Sequence, residues 1–255
     1  MASDRRAEFL LAGTSVCPMR CAPRVGVRLN SIEAEFKVGA TAGEKGMHDF
    51  FRRVTVIPVL TIEREADAVP LARALLGGGL PLLEVTLRTP AALAAIAAIA
   101  REVPQVVVGA GTVQRPADVV QACMAGARFL VSPGMTAELA AAALATELPY
   151  IPGVATPSEV MTARDLGISF LKLFPAEADG GLALLQALAP VFPGVAFCPT
   201  GGLEERSAAK YLALPNVPIV GGSWMAPKEV VAAGDWVTVG GLAERAAAIG
   251  GRNTA

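Results

Sequence analysis

From residue 54 onward, eight short β-branched or apolar runs alternate with alanine- and leucine-rich stretches whose apolar residues recur three and four apart. The runs are VTVIPVL (54–60), LLEVTL (82–87), VVVGAGTV (106–113), FLVSPG (129–134), YIPGV (150–154), FLKLFPA (170–176), VAFCPTG (195–201) and PIVGGSW (218–224). Continuously apolar strands separated by helices predict a parallel sheet covered on both faces. Eight such units closing on themselves predict an α/β fold, a (β/α)8 TIM barrel of about 200 residues. The competing architecture, an open doubly wound sheet, carries a GxGxxG turn behind its first strand, and VTVIPVLTIERE has no glycine there.

Residues 1–46 lack this alternation and have no clear periodicity. They are read as an N-terminal extension, flexible or the product of a misassigned start, with the single barrel domain spanning residues 47–255 and its pattern opening at Met47. SDRRAEFLLAG contains paired arginines, but its apolar run FLLAG is shorter than the roughly 7–15 residues of an export signal's apolar region. Cys17 and Cys21 have the spacing of half a metal site, and no second pair follows, so they are read as unpaired thiols.

Composition narrows the chemistry. The net charge is −1 and no Lys/Arg cluster is interleaved with aromatics, which argues against a nucleic-acid partner. No apolar run approaches the roughly 18 residues of a membrane span. Four scattered cysteines, Cys17, Cys21, Cys123 and Cys198, are too few for a disulfide scaffold in 255 residues, so reduced thiols and a cytoplasmic setting are expected. The single histidine, His48, lies near the end of the N-terminal segment, which argues against a Ser/His/Asp or Cys/His triad and against a multi-histidine metal site. Lysine, carboxylates, hydroxyls and backbone amides remain, with no metal and no cofactor expected.

In a barrel the C-terminal strand ends face the active site. Read to their ends, the runs supply Glu84, Thr86 and Arg88; Gly111 and Thr112; Pro133; Thr156; Lys172; Thr200, Gly201 and Gly202; and Gly221, Gly222 and Ser223. Lys172 lies inside the apolar run FLKLFPA, where a desolvated lysine loses proton affinity and becomes a nucleophile. The alternative is a lysine at the strand exit whose charge reaches water. Glu84, Thr86 and Arg88 share one strand face by alternation, and unpaired buried charges are costly. Either Glu84 pairs with Arg88 or Lys172 for structure alone, or Lys172 and Glu84 form the amine and proton-moving carboxylate of Schiff-base chemistry. The glycine pairs in CPTGGLEERS and IVGGSWMAP stand ahead of expected helix starts after the seventh and eighth strands, the place where barrels of this type bind phosphate.

EVTLRT (84–89), GAGTV (109–113), SPG (132–134), IPGV (151–154), LKLFPAE (171–177), FCPTGG (197–202) and GGSW (221–224) stand in the order and spacing of the bacterial 2-keto-3-deoxy-6-phosphogluconate aldolases. The chain resembles this family over roughly residues 50–250. The resemblance implies a metal-independent class I aldolase, a homotrimer. It would release pyruvate and glyceraldehyde 3-phosphate from a phosphorylated keto-deoxy sugar acid in the Entner–Doudoroff pathway, and also cleave 4-hydroxy-2-oxoglutarate. By position, Lys172 resembles the Schiff-base lysine and Glu84 the general acid/base. Arg88 and Thr112 resemble the groups holding the pyruvyl carboxylate, Pro133 and Thr200 the pocket lining, and Gly201, Gly202, Gly222 and Ser223 the phosphate loops. LKLF stands where many relatives have FKFF, and ATPSE follows IPGV where others vary; both leave the chemical groups in place. Two rivals share the scaffold: a phosphate-binding barrel isomerase or synthase working through carboxylates, and a non-catalytic sugar-phosphate sensor.

Overall fold

Two prolines inside apolar strands, Pro58 and Pro152, mark how the barrel closes. A proline has no N–H to give a ladder, so it can sit only where the pairing does not need one. The structure, a computed structural model, describes Phe51 and residues 54–250; the expectations for Cys17, Cys21, Met47 and His48 lie outside the described residues.

The strands in chain order are β1 (Val56–Leu60), β2 (Leu82–Thr86), β3 (Val107–Gly111), β4 (Leu130–Val131), β5 (Tyr150–Ile151), β6 (Gly153–Val154), β7 (Phe170–Leu173), β8 (Ala196–Pro199) and β9 (Val220–Gly222). All pairings are parallel, in the orders β5-β4-β3-β2-β1-β9 and β6-β7-β8. A parallel bridge between Thr200 and Gly221 joins β8 to β9. β5 and β6 are separated by Pro152 alone, so the ring closes on eight positions, the fifth strand being interrupted.

The interruption follows from stagger. β5 pairs with β4 through Tyr150 and Ile151, and β6 pairs with β7 through Gly153 and Val154. Pro152 stands where the pairing passes from one neighbour to the other. Pro58 is its counterpart: β1 pairs with β9 up to Pro58 and with β2 from Val59 onward. The sequence pattern predicts one strand over 150–154 and a longer fourth strand over 129–134; the observed β4 has two residues. Beyond it, the carbonyl of Pro133 lies against Gly153 where a side chain would be, so the fourth and fifth strands approach too closely there for an ordinary ladder.

The helices are α1 (Glu65–Gly77), α2 (Ala92–Glu102), α3 (Pro116–Met124), α4 (Ala137–Leu144), α5 (Pro157–Asp165), α6 (Gly181–Val191), α7 (Glu205–Leu212), α8 (Lys228–Ala232) and α9 (Trp236–Ala248). α3 and α5 start with proline at the first helical position, followed by Asp118 and Glu159, whose carboxylates accept backbone N–H groups of the preceding loop. α9 closes the outer ring against α1: a side chain at Gly78 would stand 2.5 Å from Ala243 Cβ.

Apolar residues divide by strand face. Leu83, Val85, Val108, Ala110, Leu130, Leu171, Leu173 and Phe197 point outward into the layer shared with the helices. Ile57, Leu82, Val107, Phe129, Val131, Ile151, Phe170, Cys198 and Ile219 point inward. Phe51 belongs to the inner set, stacked on Phe170 at 5.1 Å and edge-on to Phe129 at 5.8 Å. This aromatic floor fills the interior at the N-terminal strand ends. Phe129 extends over Gly109, where an added Cβ would meet three ring atoms at 2.5 Å. Gly109→Ala is therefore expected to cost about 1–3 kcal/mol by overpacking. In a Phe129→Leu background most of that cost should vanish, since the opposing ring is gone; urea midpoints of the four chains test the cycle.

Candidate active site

The alternation that places Leu82 inward places Glu84 and Thr86 inward too, and in β7 it aligns Phe170 with Lys172. In register, Glu84 faces Val59 and Gly109, and Lys172 faces Gly153 and Cys198. The two side chains cross the interior and meet: Lys172 Nζ donates to Glu84 Oε1 at 3.3 Å, with side chains only 5% and 4% exposed. Of the two pairings open to Glu84, the structure makes the one with Lys172. The ring of Phe174, 5.1 Å from Nζ at its centroid, supplies an aromatic face to the amine.

Room for the carboxylate comes from β3. A Cβ on Gly111 would overlap Glu84 Oε1 and stand 2.6 Å from its Cγ and 2.7 Å from its Cδ, so the missing side chain of Gly111 is the seat of Glu84. Cys198, beside Lys172 on β8, is buried, and burial pushes its thiol up to about 12. Near neutral pH it is an uncharged wall of the amine's pocket, held 3.8 Å from Thr200 Oγ1.

The other sequence candidates fall as follows. Thr112 follows directly on β3 at φ 60°, a left-handed conformation costly for a β-branched residue and concentrated at functional sites. Pro133 is half-buried behind β4. Thr200 is buried, its hydroxyl donating to the Cys198 carbonyl at 3.3 Å. Gly201 and Gly202 turn with φ of 101° and 81°, values only glycine adopts freely. Gly222 is packed under the Trp224 ring, leaving no space for a side chain, and Ser223 is exposed beside it. Arg88 lies exposed at the end of β2, with no ion pair or side-chain hydrogen bond among the described residues.

Three expectations change. Thr156 is the N-cap of α5, accepting from Glu159 N–H at 3.3 Å, so its oxygen serves the helix. Thr86 donates to the Leu60 carbonyl at 2.9 Å and joins β2 to β1. The second glycine pair is not followed directly by a helix, because α8 starts only at Lys228 and is five residues long. Sequence reasoning also passed over Gly111 as the seat of Glu84 and Cys198 as the neighbour of Lys172. Alternation back from Thr200 would have placed Cys198 inward.

A closed parallel barrel with a buried lysine–carboxylate pair inside its mouth is the architecture of an enzyme that uses an amine for covalent chemistry on a carbonyl. The KDPG and KHG aldolase family model matches residues 47–242. The chain belongs to this family. It is 50% identical over 195 residues to the 2-dehydro-3-deoxy-phosphogluconate aldolase of Pseudomonas aeruginosa, covering 76% of this chain and 89% of that one. Among solved structures it is similar to the KDPG aldolase of Legionella pneumophila with pyruvate captured at low pH as a covalent carbinolamine intermediate. That match has a TM-score of 0.77 and 44% identity, and covers 79% of this chain and 98% of that one. The Zymomonas mobilis ZM4 enzyme with 3-phosphoglycerate matches with a TM-score of 0.76 and 49% identity, covering 80% and 95%.

Gly111→Ala should push the Glu84 carboxylate off Lys172. Breaking a buried pair costs about 3–5 kcal/mol. Adding Glu84→Asp, one methylene shorter, is expected to recover part of that loss, although Glu84→Asp alone is destabilising; denaturant midpoints read the change of sign.

Proposed function

We propose that this chain is a class I aldolase cleaving 2-dehydro-3-deoxy-6-phosphogluconate to pyruvate and D-glyceraldehyde 3-phosphate, with 4-hydroxy-2-oxoglutarate as a second substrate. The observation that carries the reading is the buried Lys172–Glu84 pair at 3.3 Å. Family membership and the pyruvate adduct captured in the Legionella relative support it.

The neutral amine of Lys172 attacks the C2 ketone. Loss of water from the carbinolamine gives a protonated imine, which is the electron sink, so the cleavage calls for no metal. Glu84, through a water, takes the proton of the C4 hydroxyl as the C3–C4 bond breaks. The bonding electrons pass into the enamine and glyceraldehyde 3-phosphate departs. A proton returned to C3 by way of Glu84, followed by hydrolysis, frees pyruvate and the amine. At 3.3 Å the carboxylate is also within direct reach of the ammonium proton that must leave before attack.

Arg88, planar and without a competing partner among the described residues, would hold the substrate carboxylate through two hydrogen bonds. Thr112 joins it, aimed by its unusual backbone, while Pro133 and Thr200 line the pyruvyl half. Gly201, Gly202, Gly222 and Ser223 form the phosphate end. The 3-phosphoglycerate in the Zymomonas mobilis structure supports a phosphorylated ligand. No helix among the described residues is long and apolar enough to cross a membrane, and the cytoplasm is the proposed compartment.

The proposed assembly is a homotrimer. Val120 and Met124 on α3, Leu144 at the end of α4 and Met161 on α5 are 52%, 79%, 41% and 57% exposed on successive helices. These are four of the seven exposed large apolar side chains among the described residues, and their place on three successive helices is the surface we assign to association. Sedimentation velocity at micromolar concentration should give a three-copy particle; a monomer would overturn this assignment.

The catalytic reading is tested by intact mass with pyruvate, with and without borohydride, followed by peptide mapping. A reduced pyruvyl adduct on Lys172 is expected, and none in Lys172→Ala. Glu84→Gln should still form the adduct, while kcat falls about 10²- to 10⁴-fold, the usual contribution of a proton-transfer group. An adduct that persists in Lys172→Ala rejects Lys172 as the Schiff-base residue, and wild-type protein that forms none rejects the mechanism in favour of the isomerase-type barrel.

A further inference from the structure

The proposed phosphate end is built on a glycine turn, and a turn of two left-handed glycines has little to hold it still. Gly201 and Gly202 are nevertheless enclosed from the neighbouring loop, residues 174–180, between β7 and α6. Ala176 N–H donates to the Thr200 carbonyl at 2.9 Å and Glu177 N–H to that of Gly201 at 3.2 Å. These two bonds carry the β7–β8 pairing beyond the strands and into the turn. A Cβ on Gly202 would stand 2.9 Å from Glu177 Cβ and 3.0 Å from its Cγ, so the stem of Glu177 lies directly on Gly202.

The far end of Glu177 is tied to a third element. Tyr211, in the last turn of α7, is 1% exposed, and its hydroxyl donates to Glu177 Oε1 at 2.9 Å. The same hydroxyl lies against Gly181, the first residue of α6, whose φ of 45° and lack of side chain make the space for it. Burial and the adjacent carboxylate push the Tyr211 hydroxyl up to about 12, so it remains a donor throughout the neutral range. A buried tyrosine hydroxyl needs a partner, and here that partner is an otherwise exposed carboxylate.

We infer that Glu177 and Tyr211 are positioning residues for the phosphate end: the Tyr211–Glu177 hydrogen bond clamps the Glu177 stem onto Gly202 and fixes the Gly201–Gly202 turn. Neither residue is given any contact with the reacting atoms. The clamp ties the loop behind β7, which carries Lys172, to the loop behind β8 and to α7, so the phosphate turn and the Schiff-base strand are held in one frame. This inference rests on the reading of Gly201 and Gly202 as a phosphate site. It predicts an effect confined to phosphorylated ligands.

Steady-state kinetics on two substrates test it. Tyr211→Phe, which removes only the hydroxyl, should raise KM for the phosphorylated keto-deoxy acid about fivefold, the scale of one hydrogen bond. It should leave kcat within about twofold. Kinetics on 4-hydroxy-2-oxoglutarate, which has no phosphate, should not change, and the inhibition constant for inorganic phosphate should rise by the same factor as KM. Glu177→Ala should behave like Tyr211→Phe, whereas Glu177→Gln, which keeps the acceptor oxygen and the stem, should retain wild-type values.

If wild-type protein is not competed by inorganic phosphate, the phosphate reading fails and the clamp fails with it. If wild type is competed but Tyr211→Phe alters neither that inhibition nor KM, or alters both substrates alike, the clamp is wrong and the phosphate reading stands.

Discussion

The structure depends on an amine and a carboxylate meeting inside the barrel where both side chains are almost wholly buried. Lys172 and Glu84 are buried on strands that lie apart in sequence by 88 residues and meet only because the sheet closes into a ring. A buried pair in a low-dielectric interior is weak evidence of stability, because desolvating both ions offsets most of their attraction. Removing either partner is severe, leaving one unpaired ion. Closure, register and the space at Gly111 are therefore set by one contact: a slip of a single residue in β2 or β7 would send one charge outward into the apolar layer under the helices.

That contact also divides the interior by function. Below it, Phe51, Phe129 and Phe170 pack against one another and against Leu82, Val107 and Ile219. Above it, the inward positions become small or polar: Gly111, Gly153, Thr200 and Gly221. Aromatic bulk supplies the burial that offsets the desolvated pair, and glycine supplies the space that neighbouring groups fill: Glu84 at Gly111, the Pro133 carbonyl at Gly153 and Thr200 at Gly221. One strand serves both ends, since β7 gives Phe170 to the floor and, two residues later, Lys172 to the mouth.

Much of this was legible in the sequence for a definite reason. Parallel strands buried on both faces read as apolar runs, so eight runs announce the barrel, and a lysine or glutamate within one stands out. Period-two alternation then assigns Glu84 and Lys172 to the interior without coordinates. Strand ends were less legible because they depend on stagger: Pro152 splits the fifth run and Pro133 shortens the fourth only once neighbours are placed. Contacts across the register were not legible at all. Gly111 looks like part of a flexible turn until β2 is laid beside β3. Tyr211 looks like one helical aromatic among others until α7 brings its hydroxyl to Glu177. Thr156 misled because a threonine at a strand end and one at a helix start occupy the same place in a β–α unit, and the PSE that follows it encodes a cap.

Thr112 shows how such a site holds conformations that folding alone disfavours. Its φ of 60° costs of order 1–3 kcal/mol for a branched side chain. The flanking backbone leaves it no alternative: Leu87 N–H donates to the Gly111 carbonyl at 2.8 Å, and Val113 N–H to that of Val131 at 3.1 Å. Those bonds anchor β3 to the strand on either side, so the residue between them must absorb the turn. Glycine would do so with little strain, as it does at Gly201 and Gly202. The threonine there, one residue beyond the seat of Glu84, is held on a backbone that cannot relax away. The strain is local, and the ladders of β2, β3 and β4 that hold it also fix the lysine–glutamate pair.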